Sequence, residues 1–168
     1  MKIILETDRL LLREYREDDA EAFFKLNTDP HVLRFVPDKA LVDVDQARQI
    51  LLDHPIADYQ KHGFGRGACI LKRTGENIGF AGLKYLGELG EVDVAYRLLP
   101  EYWGRGLATE AAIASVRFGF EKLGLKQIIG LVMPDNVASI RVLEKAGLHY
   151  VEDVTFWEKQ FSKYVIAY

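Results

Sequence analysis

The sequence predicts a mixed α/β (α+β) domain, in which a mostly antiparallel central sheet of about seven strands carries helices on its flanks. Hairpin-sized connections between several strand-like runs indicate an antiparallel meander. A helix-like run at 107–122 separates two strand-like runs, which indicates one parallel crossover. With 168 residues, 49% of them hydrophobic and 28% charged, the chain is expected to form a single domain over residues 1–168.

The first part of the chain predicts one strand followed by helices. The strand spans residues 9–15, and the acidic run at 17–19 marks a helix start, because carboxylates there offset the helix dipole. A second helix is expected from Asp43 or Asp45. Pro55 should kink or split this helix, since proline lacks the N–H that a helix interior uses.

The middle of the chain predicts three strands. Residues 67–73 and 77–85 flank a turn centred on Gly75, as in a hairpin. Residues 91–99 alternate apolar side chains with others, which is typical of a half-buried strand. The alternating members on one side are Val92, Val94, Tyr96 and Leu98.

The helix expected at 107–122 carries small residues at helical spacing, which would let it lie close to the sheet. These residues are Ala108, Ala112, Ser115 and Gly119. Glu110, Arg117 and Glu121 mark its solvated face.

The last third of the chain continues with a central strand at 126–133, which is strongly apolar. Asn136 is expected to cap a helix that Gly147 ends. The final two strands are expected at residues 150–159 and 163–167.

The turn between the strand at 91–99 and the following helix contains Gly104 and Gly106. A glycine lets the backbone bend sharply and lets a ligand lie close to it. The first turn of a helix adds unpaired N–H groups and partial positive charge, so the segment is suited to a phosphate or pyrophosphate. A Walker A loop is excluded because no Gly-Lys pair occurs in the sequence. A dinucleotide-binding fingerprint is excluded because Thr109 stands where its third glycine belongs.

Three stretches of the chain resemble the GNAT family of N-acetyltransferases. The run at 103–111 is similar to that family's acyl-coenzyme A pyrophosphate loop, and the run at 136–148 resembles its second motif. The opening run at 7–20 is similar to the branch that acetylates the N-termini of ribosomal proteins (RimJ/RimL-like). The similarity spans nearly the whole chain, in the family's order and spacing.

The resemblance implies the GNAT acyl-CoA N-acyltransferase fold and direct transfer of an acetyl group from acetyl-CoA to a primary amine. The implied acceptor is the α-amine of a protein or peptide; alternatives are a small amine (polyamine, amino acid or antibiotic) and a non-catalytic acyl-CoA-binding module. The residues implied at the cofactor are Leu98, Leu99, Trp103, Gly104, Arg105, Gly106, Leu107, Ala108, Thr109, Asn136 and Ser139.

Acyl transfer needs a base for the amine and a proton or hydrogen bond for the departing thiolate. Asp93 and Glu91 lie on one face of the strand that leads to the loop, so they are the candidate bases. Related chains often place a tyrosine acid where this chain has Leu143. Ser139 is therefore the candidate that donates a hydrogen bond to the thiolate, while a backbone N–H of Leu98 or Leu99 would polarise the thioester carbonyl.

The resemblance also implies that the early helices form one wall of the site that binds the acceptor amine. Three residues there are candidates for contact with the acceptor: Phe35, Tyr59 and His62. The simpler interpretation is that they pack in the core or at its rim.

Composition argues against several other classes of function. The net charge is −3 with no dense basic run, so nucleic acid is not expected as a ligand. No membrane-spanning stretch is visible, and the single cysteine, Cys69, cannot form an internal disulfide, so we expect a cytoplasmic protein. Either a monomer or a homodimer is expected. The four histidines are scattered, which indicates no metal site.

Overall fold

The computed structural model describes all 168 residues, in eight strands and six α-helices. In chain order these elements are β1 (Ile3–Glu6), β2 (Leu10–Glu14), α1 (Ala20–Leu26), α2 (Pro30–Leu33), α3 (Val44–Leu51), α4 (Ala57–His62), β3 (Gly67–Leu71), β4 (Glu76–Leu86), β5 (Glu91–Leu98), α5 (Leu107–Glu121), β6 (Gln127–Val132), α6 (Val137–Lys145), β7 (His149–Phe156) and β8 (Lys159–Ala167).

All eight strands form one sheet in the order β1-β2-β3-β4-β5-β6-β8-β7. Every neighbouring pair is antiparallel except β5 and β6, which α5 connects as the parallel crossover. The predicted sheet is therefore confirmed, with one strand more than expected. The additional strand is β1, which pairs with β2 at the edge of the sheet.

The sheet opens between β5 and β6. These strands are joined only at Asp93 and Ile129, whereas β5 pairs with β4 over its whole length and β6 pairs with β8 over its whole length. Beyond Asp93 the two strands are no longer paired with each other and diverge. The divergence leaves a cleft in the middle of the sheet, which we call the central cleft.

Helices cover the two faces of the sheet in different groups. The first four helices pack on one face around Leu26, Leu51 and Phe80. The other two, α5 and α6, pack on the opposite face around Val116, Ile128 and Leu143. The small-residue stripe of α5 lies against the sheet, and a Cβ on Gly119 would come 2.7 Å from Ile128 Cδ1.

The interruption expected at Pro55 is present as one turn of π-helix at Leu52–Ile56, between α3 and α4. Asp43 caps α3 by accepting a hydrogen bond from the Gln46 N–H. Cys69 is fully buried, and burial raises the pKa of its thiol to about 12, which suits a core residue. The structure contains no helix that is both long and apolar enough to cross a bilayer.

Candidate active site

Asp93 lies at the point where the central cleft begins, and its side chain is buried. Its Oδ1 accepts a hydrogen bond from the Leu131 N–H on β6 at 3.3 Å, and its Oδ2 accepts one from Arg66 Nη2 at 3.2 Å. Burial raises the pKa of Asp93 to about 6, although Arg66 acts to lower it. Asp93 therefore combines a fixed position with a pKa near neutrality.

Tyr96 and Ser139 join the two sides of the same cleft. The Tyr96 hydroxyl donates to the Ser139 carbonyl at 3.0 Å and also lies 2.8 Å from Ser139 Oγ. Asn136 caps α6 by accepting from the Ser139 N–H at 3.3 Å, which fixes the serine in the first turn. Burial raises the pKa of Tyr96, although its hydrogen bond to Ser139 acts in the opposite direction.

Sequence reasoning missed Tyr96. Strand alternation placed it among apolar side chains, and that pattern also describes an ordinary core tyrosine. The only available signal was its place three residues after Asp93 on the strand that leads to the glycine loop. Leu143, by contrast, is 2% exposed and packs against Gly130, so it contributes no polar group.

The glycine loop has the backbone that the sequence predicts. Gly104 and Gly106 both have positive φ, 74° and 75°. Gly106 is the N-cap of α5, and no side chain caps that helix, in contrast to α6. The N–H groups of the first turn, which begins at Leu107 and includes Ala108 and Thr109, therefore have no helical partner.

Three side chains shape the surroundings of this loop. The Trp103 indole is half exposed, and its Nε1–H donates to the Leu98 carbonyl at 2.8 Å, which ties the loop to the end of β5. The Arg105 guanidinium lies 5.5 Å from the centre of the partly buried Tyr102 ring. The loop is thus tied to the end of β5, while the helix that follows it has no side-chain cap.

Of the two backbone donors expected near the end of β5, Leu99 is already used. Its N–H donates to the Ile78 carbonyl at 2.9 Å, on the edge of β5 that faces β4. Successive residues of a strand direct their polar groups to alternate edges, so the Leu98 N–H lies on the edge that faces the central cleft. Of the two alternatives, Leu98 or Leu99, the structure therefore favours Leu98 as the candidate donor.

A cavity of about 160 Å³ extends from the cleft and is lined by Phe35, Asp38, Asp93, Tyr96, Arg97 and Ser139, among others. A neighbouring cavity of about 400 Å³ shares several of its walls, and Trp157 at the turn between β7 and β8 lines both. Trp157 has a φ of 51°, which a non-glycine residue rarely adopts, so the turn holds a half-exposed indole at the cavities in a strained conformation.

The carboxylates around these cavities are each paired with a cationic side chain. Arg66 contacts Asp93 at 3.2 Å, Arg97 contacts Asp38 at 3.0 Å, and Lys84 contacts Asp58 at 2.9 Å. Each of the three carboxylates thus already has a cationic partner, which offsets its charge.

Three expected contacts lie outside this site. Glu91 accepts hydrogen bonds from Gln127 and lies 3.6 Å from Lys163, away from the cavity that Asp93 lines. The Tyr59 hydroxyl donates to the Arg66 carbonyl and accepts from the Tyr15 N–H, which is a structural role. His62 packs on Tyr85, with ring centres 4.9 Å apart. Phe35 alone of the acceptor candidates lines the cavity.

The chain has relatives of known family. Residues 9–149 match the family described as "Acetyltransferase (GNAT) domain". A Bacillus subtilis protein named uncharacterized N-acetyltransferase YoaA is 34% identical over 86% of this chain and 81% of its own. The FsC-acetyl coenzyme A-N(2)-transacetylase of Aspergillus fumigatus is 31% identical over 92% of this chain and 68% of its own. The crystal structure of an acetyltransferase from Agrobacterium tumefaciens superposes with a TM-score of 0.86 at 26% identity, over 100% of this chain and 95% of that one.

Proposed function

The chain belongs to the GNAT acetyltransferase family and is an acetyl-CoA-dependent N-acetyltransferase, and we propose that it acetylates the α-amine at the N-terminus of a protein or peptide. The observation that carries the proposal is the central cleft. It lies between an uncapped helix start at one end and a buried carboxylate of raised pKa at the other.

The cofactor would lie along the cleft. The N–H groups of the loop and of the first turn of α5 would bind the diphosphate, because an uncapped helix start favours an anion. Asn136 and Ser139 at the start of α6 would contact the pantetheine arm. The Leu98 N–H would then polarise the thioester carbonyl from the free edge of β5.

The reaction needs no covalent intermediate on the protein. The nitrogen of a neutral amine forms a bond to the acetyl carbon, and the C–S bond breaks. The nitrogen loses one proton and the departing thiolate takes one up through water, so the transfer balances. Ser139 would donate a hydrogen bond to the developing thiolate, and Tyr96 would do so by turning its one O–H from the Ser139 carbonyl towards the sulfur. Because the pKa of Tyr96 is raised, its hydroxyl serves as a hydrogen-bond donor and is unsuited to releasing a proton outright.

Asp93 is our proposed base, and its pKa favours an α-amine as the acceptor. An α-ammonium has a pKa of about 7.7–8.0 and a lysine ammonium one of about 10.4. Proton transfer to a carboxylate of pKa about 6 is therefore uphill by roughly two units from an α-amine and by more than four from lysine.

The paired charges around the cavities argue against a polyamine acceptor. A polycation would need free carboxylates, and Asp38, Asp58 and Asp93 are each paired with a cation. Placement in the RimJ/RimL-like branch remains a proposal based on the opening run at 7–20. A small amine is the competing acceptor, and the name of the Aspergillus relative specifies only acetyl coenzyme A and an N(2) nitrogen.

Thiol release from acetyl-CoA with a panel of amines tests the proposal. The panel contains peptides with a free N-terminus, the same peptides blocked at the N-terminus but with an internal lysine, free amino acids, and spermidine. We expect release with the free N-termini only, and mass spectrometry should place the acetyl group on the α-nitrogen. Release only with amino acids or spermidine would reassign the acceptor, and no release with any amine would contradict the enzymatic assignment.

A further inference from the structure

The side chain of Glu110, in the first turn of α5, is tied to the start of the chain. It accepts three hydrogen bonds: Thr7 Oγ1–H donates at 2.6 Å, the Arg9 N–H at 3.0 Å and Arg9 Nε–H at 2.9 Å. Glu110 was expected on the solvated face of the helix, so this set of contacts is a correction. It joins the opening run of the chain to the glycine loop, about a hundred residues away in sequence.

Arg9 also contacts the loop backbone directly. Its Nη1 donates to the Arg105 carbonyl at 2.9 Å, between the two positive-φ glycines. Its Nη2 has no hydrogen-bond partner in the chain, and a Cβ placed on Gly106 would lie 3.5 Å from it. One nitrogen of the guanidinium thus fixes the loop while another lies beside the glycine that begins the helix.

The charge balance at the helix start gives Arg9 a second effect. A carboxylate in the first turn of α5 would repel a diphosphate bound there, even though it suits the helix dipole. The Arg9 guanidinium neutralises Glu110 and holds it in place. Partial burial acts to raise the pKa of Glu110, but the hydrogen bonds from Thr7 and Arg9 outweigh it and its pKa lies below the ordinary value.

We propose that Arg9 is a further residue of the acetyl-CoA site. It positions the loop through the Arg105 carbonyl, neutralises Glu110, and offers Nη2 to an oxygen of the cofactor's diphosphate. The inference rests on the proposed function, since it assumes that the diphosphate lies on this loop.

The test compares two acyl donors, acetyl-CoA and S-acetylpantetheine, which lacks the diphosphate. We expect Arg9→Met to lower kcat/KM for acetyl-CoA about tenfold or more, in line with the loss of a charge-assisted hydrogen bond. The value for S-acetylpantetheine should stay within about twofold, because that donor never contacts Arg9. The kcat/KM of Arg9→Lys for acetyl-CoA should lie between those of the wild type and Arg9→Met, since lysine keeps the charge but not the bridging geometry.

Arg48→Met is the matched control, because Arg48 is an exposed arginine paired with Asp45 at 2.8 Å on α3, remote from the loop. This variant should leave kcat/KM unchanged for both acyl donors. An equal loss for both donors in Arg9→Met would assign Arg9 to folding alone, and no loss with acetyl-CoA would also overturn the proposal. Calorimetry of CoA and of pantetheine binding to the wild type and to Arg9→Met gives the same comparison without turnover. The role of Arg9 in binding is therefore tested even if the wild-type chain acetylates no amine, a result that would contradict the proposed function alone.

Discussion

At the scale of single residues, the buried carboxylate of Asp93 determines how the chemistry should respond to pH. Only ionised Asp93 can accept a proton, and burial raises its pKa to about 6. We therefore expect kcat to fall as the pH drops through about 6. Asp93→Asn should remove this acidic limb and lower kcat by about 10²–10⁴-fold, measured by steady-state kinetics between pH 5 and 8.

Glu91→Gln is the control for this prediction, because Glu91 lies on the same strand but bonds to Gln127 outside the cavity. Its pH profile should match the wild type. Circular dichroism should establish that Asp93→Asn is folded, since the substitution leaves Arg66 without its ion pair. A folded Asp93→Asn variant with an unchanged acidic limb would exclude Asp93 as the base.

The hydroxyls of Tyr96 and Ser139 should act together on turnover. We expect Ser139→Ala and Tyr96→Phe each to slow kcat about tenfold or more while leaving acetyl-CoA affinity within about twofold, because hydrogen bonds to a developing thiolate act in the transition state. The two hydroxyls lie 2.8 Å apart, so the double variant should be little slower than the worse single variant. Unchanged turnover in Ser139→Ala would remove Ser139 from the catalytic residues.

At the scale of elements, the glycine loop should depend on its backbone more than on its charge. Gly106→Val should abolish CoA binding measured by calorimetry, because a β-branched residue is strained at a φ of 75° and its side chain would occupy the anion's place. Arg105→Ala should weaken binding only mildly, since an exposed charge is screened by salt. The reverse order of effects would contradict this account of the loop.

Gly75→Val offers a control with the same backbone strain. Gly75 has a φ of 76° in the turn between β3 and β4, with open space around its Cα. This variant should lose stability but keep its CoA affinity, which separates general strain from loss of the anion site.

A buried ion pair fastens the turn before α1 to β2. Arg13 Nη2 donates to Asp19 Oδ1 at 2.7 Å and Nη1 to Oδ2 at 2.8 Å, and both side chains are almost fully buried. Removing one partner of such a pair costs about 3–5 kcal/mol. Asp19→Asn should therefore lower the free energy of unfolding in urea by about 3 kcal/mol, whereas exposed Asp18→Asn should change it by less than about 0.5 kcal/mol.

The pH dependence of this contribution has a definite sign. Burial acts to raise the pKa of Asp19, but the hydrogen bonds from Arg13 and the Arg16 N–H outweigh it, so the folded pKa lies below the ordinary 3.8. The stabilisation is therefore present above pH 3.8 and is lost as the pH falls through the folded pKa. An Asp19→Asn variant as stable as the wild type at neutral pH would contradict the role of the pair.

Elements with a local signature were predictable, and those without one were not. The alternation along β5, the caps at Asp43 and Asn136, and Pro55 in its π-turn each depend on near neighbours in sequence. The strand β1 has four residues, and its register against β2 is irregular between Ile3 and Leu5, so no period-two pattern marks it. The Arg9–Glu110 contact joins distant segments and has no local pattern at all.

At the scale of the whole molecule, the central cleft follows from how the strands are paired. A helix between two strands predicts a parallel crossover, and that prediction is confirmed. That β5 and β6 meet at only one residue pair is a property of the whole sheet, and no local pattern along either strand marks it. The sequence therefore predicts the candidate cofactor loop more directly than it predicts the neighbourhood of Asp93, Tyr96 and Ser139.

The most direct test is a crystal structure of the chain soaked with acetyl-CoA. The account predicts the diphosphate on the backbone N–H groups around Gly104 and Gly106, the pantetheine arm between β5 and β6, and the thioester beside Leu98, Tyr96 and Ser139. A cofactor bound elsewhere, or a cleft that stays closed while those N–H groups bond to protein atoms, would contradict it.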